Sequence, residues 1–158
     1  VIERFVDIHL DVRREVMLPA GRPIGDMLTD WGLTDALQEQ LWVVAYDGQK
    51  RVMTVMQTAM GGYNEMIVSV TPTIAAVLMA GAQRFILAHN HPSGNVQPTN
   101  EDLDLTEIMR KASNTVGVYL EDHVIVGPPD RFLSLRAARL YAPPIIPESA
   151  AVRARGGR

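Results

Sequence analysis

The chain has 158 residues, 47% hydrophobic and 21% charged, which suits one globular domain with a sizeable core and leaves no room for a second full domain. A formal net charge of −3 gives no electrostatic drive toward non-specific nucleic-acid binding, which depends on clustered Lys and Arg neutralising phosphates. The absence of cysteine excludes disulfides and thiolate metal sites and is compatible with a cytoplasmic protein; no apolar run approaches the roughly 18 residues of a membrane span and no charged-then-apolar leader is present, so neither a membrane segment nor a signal peptide is expected.

In chain order, Val6-Asp7-Ile8-His9-Leu10-Asp11-Val12 alternates strictly, the pattern of a half-buried strand with His9 on its wet side. Pro19 to Pro23 breaks the chain. Ile24, Met27, Leu28 and Trp31 then recur at helical spacing and end at Gly32, a short amphipathic helix whose Met and Trp read as core. The runs Leu41 to Tyr46 and Arg51 to Met56 flank Asp47-Gly48, a hairpin signal, and their near-continuous apolar character predicts a central antiparallel pair covered on both faces by helices. Gly61-Gly62 marks another turn. Thr71-Pro72 opens a helix with Ile74, Val77 and Leu78 as its buried stripe, and Gly81 stops it.

The run Arg84-Phe85-Ile86-Leu87-Ala88 predicts a buried strand with His89 and His91 at its end. Residues two apart on a strand share a face, so both imidazoles can serve one ion while Asn90 turns away. Pro92, Gly94 and Pro98 impose an irregular loop in which Asn90 and Asn95 satisfy backbone groups, and regular structure resumes near Thr99. Asp102, in the first turn of the next helix, can swing back to complete a two-imidazole, one-carboxylate set, the type that holds a catalytic zinc and leaves a position for water. Thr99-x-x-Asp102 equally has the form of a helix cap followed by an acid, and Glu101, Asp102 and Asp104 suit the positive end of a helix dipole, so a capping reading stands beside the metal reading.

That helix is expected from Asn100 to Val116, with Leu103, Ile108, Met109 and Ala112 on one face, Arg110 and Lys111 matched to the dipole, and Gly117 ending it. Val118-Tyr119-Leu120 leads into a strand from Asp122 to Gly127. Phe132, Leu135 and Leu140 predict a last strand or helical turn. The chain thus divides into an N-terminal strand extension over 1–22, a body over 23–142 and a flexible basic tail over 143–158, where Arg153, Arg155 and Arg158 are solvated charges.

His89-Asn90-His91-Pro92-Ser93-Gly94, followed by Pro98-Thr99 and Asp102, resembles the signature of the RadC-like branch of the JAB/MPN domains, the superfamily that includes the JAMM metalloproteases. In that pattern His-x-His is followed by seven residues, here Pro92 to Pro98, then a hydroxyl residue, here Thr99 where the family usually has Ser, then two residues and Asp. Asp122-His123 resembles the family's Asp-His strand, and Leu41 to Asp47 its strand ending in Asp; the likeness covers roughly Pro23 to Tyr141. Thr71-Pro72-Thr73 departs from the family's usual basic-acidic helix start. The resemblance implies an α/β (α+β) fold of the JAB/MPN, cytidine-deaminase-like kind: a mixed β-sheet flanked by helices.

It further implies that His89, His91 and Asp102 hold Zn2+, and that an upstream Glu acts as general base and then acid. Glu39 occupies the place of that Glu, with Glu65 as its rival. Thr99, or else Ser93, would hydrogen-bond the oxyanion. His123 is either a partner that orients a ligand, a displaced fourth ligand, or one half of a structural pair with Asp122.

Three functions compete. The first is a zinc-dependent peptidase or isopeptidase acting on a peptide or protein substrate. The second, implied by the family's association with DNA repair and mobile elements, is a nuclease or DNA-linked role, against which the acidic balance argues mildly. The third is an MPN-type binding module that keeps the fold without catalysis. Neither the substrate's identity nor an oligomeric state is encoded in any motif.

Overall fold

The structure is a computed structural model describing residues 16–17, 23–61 and 69–143. Among these residues the elements are β1 (Val16–Met17), α1 (Ile24–Asp30), β2 (Gln40–Tyr46), β3 (Arg51–Met60), α2 (Val70–Met79), β4 (Arg84–Asn90), α3 (Asn100–Thr115), β5 (Tyr119–Gly127) and β6 (Arg131–Ser134). The strands form one six-stranded sheet in the order β1-β3-β2-β4-β5-β6. β4 and β5 are parallel and every other pair is antiparallel, so the sheet is mixed, as expected. The expected strand over Val6 to Val12, Glu65 and residues 144–158 of the tail lie outside the described residues. No helix among the described residues is long and apolar enough to cross a membrane.

Alternation along the central strands sorts their side chains into two apolar layers. Leu41, Val43 and Ala45 of β2 with Phe85 and Leu87 of β4 face Val77 of α2 and Met109 of α3. Val44 and Tyr46 with Ile86 and Ala88 face the opposite way, toward Leu28 of α1. On β5, Leu120 and Ile125 share the first layer although one is even-numbered and the other odd. The pairing explains this: Phe85 pairs with Leu120 but Ile86 with Asp122, so Glu121 is an extra residue that switches the phase of the strand.

Several expectations need correction. α2 begins two residues early, with Ser69 as N-cap and Val70 as first residue in place of Thr71 and Pro72, which leaves Pro72 still in the first turn where a missing N–H costs nothing. Its buried residues are Thr73, Ala76 and Val77, and Leu78 is exposed. α3 buries Asp102, Thr106, Met109 and Ser113, a stripe at i, i+4, i+7 and i+11, while Ile108 is exposed. The helix is turned so that Asp102 meets the strand, and the hydroxyls that follow on that face find internal partners: Thr106 donates to the Asp102 carbonyl and Ser113 to that of Arg110. Arg110 and Lys111 pair with Glu107 one turn back, and the last turn of α3 carries no basic residue. β2 is covered on both faces, but β3 is only partly buried, being flanked by the two-residue β1. In the hairpin between them Lys50, at φ 63°, takes the left-handed conformation, and the Asp47 carboxylate accepts from the backbone of Gln49 and Arg51.

Asn90 closes β4 and ties down the segment ahead of β2. Its Oδ1 accepts from Gln40 N at 2.8 Å, and its Nδ2 donates to the carbonyls of Ala36 at 3.0 Å and Gln38 at 3.1 Å. The fully buried amide thereby does for this loop what a further pair of strands would do. Asn90→Ala leaves those three backbone groups without their partner and is expected to lower unfolding free energy in urea by about 2–4 kcal/mol. A loss under about 0.5 kcal/mol would show that water replaces the amide without cost.

Candidate metal centre

β4 brings His89 and His91 to one face, and Asp102 reaches them from the first turn of α3. His89 Nε2 stands 2.8 Å from His91 Nε2 and 3.1 Å from Asp102 Oδ1, and His91 Nε2 lies 3.4 Å from Asp102 Oδ2. Ligands held about 2.0–2.1 Å from one tetrahedral ion stand roughly 3.3 Å from each other, so three donor atoms at these separations fit a common small cation. With Glu39, whose Oε1 is 3.8 Å from His91 Nε2, the four side chains offer atoms that all lie within 4.8 Å of one another.

Glu39 is placed by the sheet. Leu41 pairs with His89 in the antiparallel β2–β4 register, so Glu39, two residues before Leu41, arrives opposite His91, two residues beyond His89. Gly61 N donates to the Glu39 carbonyl at 2.7 Å, and the Asn90 amide holds the residues on either side. The two carboxylates differ in setting: the Asp102 side chain is 10% exposed and the Glu39 side chain 34%. Asp102 is suited to ligation and Glu39, farther out and wetter, to moving protons.

Thr99 and Asp102 satisfy both readings of their motif at once. Thr99 caps α3, accepting from Asp102 N at 3.2 Å, while Asp102 Oδ2 accepts from Thr99 N at 2.8 Å and from Thr99 Oγ1 at 2.9 Å. The Thr99 hydroxyl is therefore spent on holding Asp102 in place of the expected oxyanion contact. Ser93, exposed on the loop, accepts from Asn95 N at 3.3 Å and keeps its own hydrogen for donation. That loop is seated on the end of β5: His91 N donates to the Val126 carbonyl at 2.8 Å, and Gly94, at φ 76°, lies where an added Cβ would come 2.5 Å from the Pro128 carbonyl oxygen.

The outer nitrogens of the imidazoles are also engaged. His91 Nδ1 meets the Asn95 carbonyl at 2.6 Å; a carbonyl can only accept, so Nδ1 carries the hydrogen, and Nε2 is the atom that faces Asp102 and Glu39, donating when the ring is protonated and keeping a lone pair for a metal when it is neutral. His89 Nδ1 lies 2.8 Å from Nε2 of the fully buried His123, whose Nδ1 lies 2.6 Å from Thr106 Oγ1. His123 is thus neither a displaced ligand nor paired with Asp122, whose carboxylate accepts instead from His123 N, Ser134 Oγ and Arg136 N. The sequence reading overlooked Thr106; its position four residues after Asp102, one helical turn along the same face, is the signal that was available.

Burial alone would raise the Asp102 carboxyl, but the two imidazoles beside it, His89 and His91, prevail and hold it far below the usual carboxylate range. The hydrogen bond to Asp102 pushes His91 up against the opposing effect of burial. Full burial, reinforced by His89, drives His123 well down, so its ring is neutral.

The RadC-like JAB domain family model matches residues 25–140. Similar curated proteins include UPF0758 proteins: one of Porphyromonas gingivalis, 34% identical over 65% of this chain and 45% of its own length; one of Carboxydothermus hydrogenoformans, 36% identical over 66% and 46%; and one of Picosynechococcus sp., 38% identical over 63% and 40%. The chain spans less than half the length of these relatives.

The shifts fix the sign of a pH profile for the chelator-treated protein. His91, raised above 6.5, contributes stability that is complete below pH 6.5 and is lost as pH rises through its folded value. His123 acts oppositely, because below 6.5 only the unfolded chain takes up a proton there, so stability falls as the pH drops. Asp102, lowered from 3.8, adds stability present above that value and lost as pH falls through its folded value. The thermal midpoint in EDTA is expected to peak near pH 6.5 and decline on both sides; a midpoint that climbs steadily above that pH would contradict the His91–Asp102 pairing.

Proposed function

The chain belongs to the RadC-like JAB domain family, and from that premise we propose that it is a zinc-dependent hydrolase cleaving a peptide or isopeptide amide bond. The observation that carries this reading is the division of labour at the centre: two imidazoles and a low-exposure carboxylate converge, with a second, more exposed carboxylate 3.8 Å from His91 Nε2. His89 and His91 through Nε2, and Asp102 through its carboxylate, would hold the ion. When bound, zinc supplies a Lewis acid that polarises the scissile carbonyl and lowers the pKa of water toward neutrality.

The protein's own groups do the rest. Glu39 accepts a proton as water oxygen forms its bond to the carbonyl carbon, then returns that proton to the amide nitrogen as the C–N bond breaks, so charge and protons balance across the cycle. Ser93, with its hydroxyl hydrogen uncommitted, is the freer of the two hydroxyls and is assigned the donation to the oxyanion. Thr99 keeps Asp102 oriented throughout. The buried Asn90 amide keeps Glu39 at its post by fixing the backbone on both sides of it.

The decisive experiment measures zinc in chelated protein after zinc is returned, then assays peptide-linked, isopeptide-linked and nucleic-acid substrates side by side. Near-stoichiometric zinc is expected in the wild type and in Glu39→Gln, and its loss in the His89→Ala, His91→Ala double variant. Glu39→Gln is expected to lower kcat on the amide substrate by about 10²–10⁴-fold with zinc retained. Wild-type protein that takes up no zinc would overturn the reading in favour of a binding module. Turnover confined to nucleic acid would transfer the same centre to a DNA-linked role.

A further inference from the structure

The His89–His123–Thr106 contacts form a buried polar feature that amide hydrolysis does not itself require. His89 and His123 are fully buried and Thr106 nearly so, and each sits on a different element: β4, β5 and α3. His123 arrives there because of the extra residue Glu121. The β5 register pairs His123 with Leu87 and Ile125 with His89, which puts the His123 ring on the face of β4 that carries His89.

The order of hydrogens along the contacts follows from what each atom can do. The Asp102 main-chain carbonyl can only accept, and Thr106 Oγ1 donates to it at 2.6 Å. The hydroxyl hydrogen is used there, so Thr106 presents only lone pairs to His123 Nδ1 at 2.6 Å, and Nδ1 must carry the hydrogen. The buried ring, whose nitrogens touch only His89 and Thr106 among the described residues, is neutral and offers a bare Nε2. His89 Nδ1, at 2.8 Å, then has to be the donor, and His89 Nε2 is left with a lone pair directed at His91 and Asp102.

We propose that His123 and Thr106 are positioning residues for the metal, a relay that begins at the Asp102 carbonyl and locks His89 in the Nδ1–H form that can ligate. The inference rests on the metal reading above. One residue, Asp102, serves both ends: its carboxylate is a ligand, and its carbonyl sets the tautomer of a second ligand across the sheet. A relay of this kind differs from core filling in one measurable respect, since it acts on metal affinity and on the protonation pattern of His89 instead of on folding alone.

The test uses Thr106→Val, which keeps shape and removes the hydroxyl, Thr106→Ser, which keeps the hydroxyl, and His123→Phe. Zinc dissociation constants are read by competition with a chromophoric chelator, and imidazole tautomers by long-range 15N–1H spectra of the chelated protein. Thr106→Val and His123→Phe are expected to weaken zinc binding by roughly 10–100-fold, with Thr106→Ser close to wild type. His89 should be an Nδ1–H tautomer in the wild type and a mixture in Thr106→Val. If wild-type protein binds zinc while Thr106→Val and His123→Phe bind it equally tightly, only this inference is overturned. If the wild type binds none, the metal reading falls and this inference with it. Should His123→Phe fail to fold, the two Thr106 variants still decide the matter.

Discussion

β4 is hydrogen-bonded along both edges, and those two ladders place every group at the centre. The antiparallel ladder to β2 brings the residues just before β2 opposite the residues just after His89, so Glu39 meets His91 with no special turn to deliver it. The parallel ladder to β5 brings His123 beneath His89. A central strand buried on both faces cannot slip by one residue without exchanging the side chains of its two layers and turning His89 away from the centre. The geometry of the centre is thereby held by the same contacts that hold the core, and the loop from His91 to Thr99 has only to return the chain to the start of α3.

Setting a polar centre at the edge of an apolar layer is costly unless each buried group is matched. Among the described residues, the buried side-chain atoms lacking a partner are Thr73 Oγ1 and Asn114 Oδ1, and neither belongs to the centre. The matching is achieved by giving groups double duty. Asp102 is at once helix cap, candidate ligand and the carbonyl that orders the hydroxyl of Thr106. Thr99 is cap and clamp, and Asn90 ends one strand while tying down the approach to another. Networks joined so closely in a low-dielectric setting respond to deletion as units, so the cost of removing one member spreads to its neighbours.

Local sequence patterns disclosed the strands that carry the site because their apolar runs are long and bounded by glycine and proline, and the His-x-His spacing gave the shared face directly. Two kinds of information were absent from such patterns. The facing of α2 and α3 was misjudged at Leu78 and Ile108, because an apolar residue on a half-covered helix can sit on either side, and in α3 the need to bring Asp102 to β4 outweighed the burial of one isoleucine. The partnership of His123 with His89 was equally out of reach, since it depends on a parallel pairing between distant segments and on a bulge that no alternation pattern predicts. Glu39 was reached by resemblance and by the expectation that its strand runs beside the one ending at His89; its placement opposite His91 itself became visible only with the β2–β4 register.

The extra residue at Glu121 has a consequence for how such chains are compared. Upstream of it the β5 position in the layer of α2 and α3 is even-numbered, at Leu120, and downstream it is odd-numbered, at Ile125, so the strand behaves as two half-strands of opposite parity joined at one residue. Any relative that lacks the insertion while keeping Leu120 and His123 at their present separation in the fold must show a one-residue gap there. An alignment that carries Tyr119 to Gly127 across without that gap would match the histidine of one chain to a residue buried against α1 in the other, and the loss of the relay would go unnoticed.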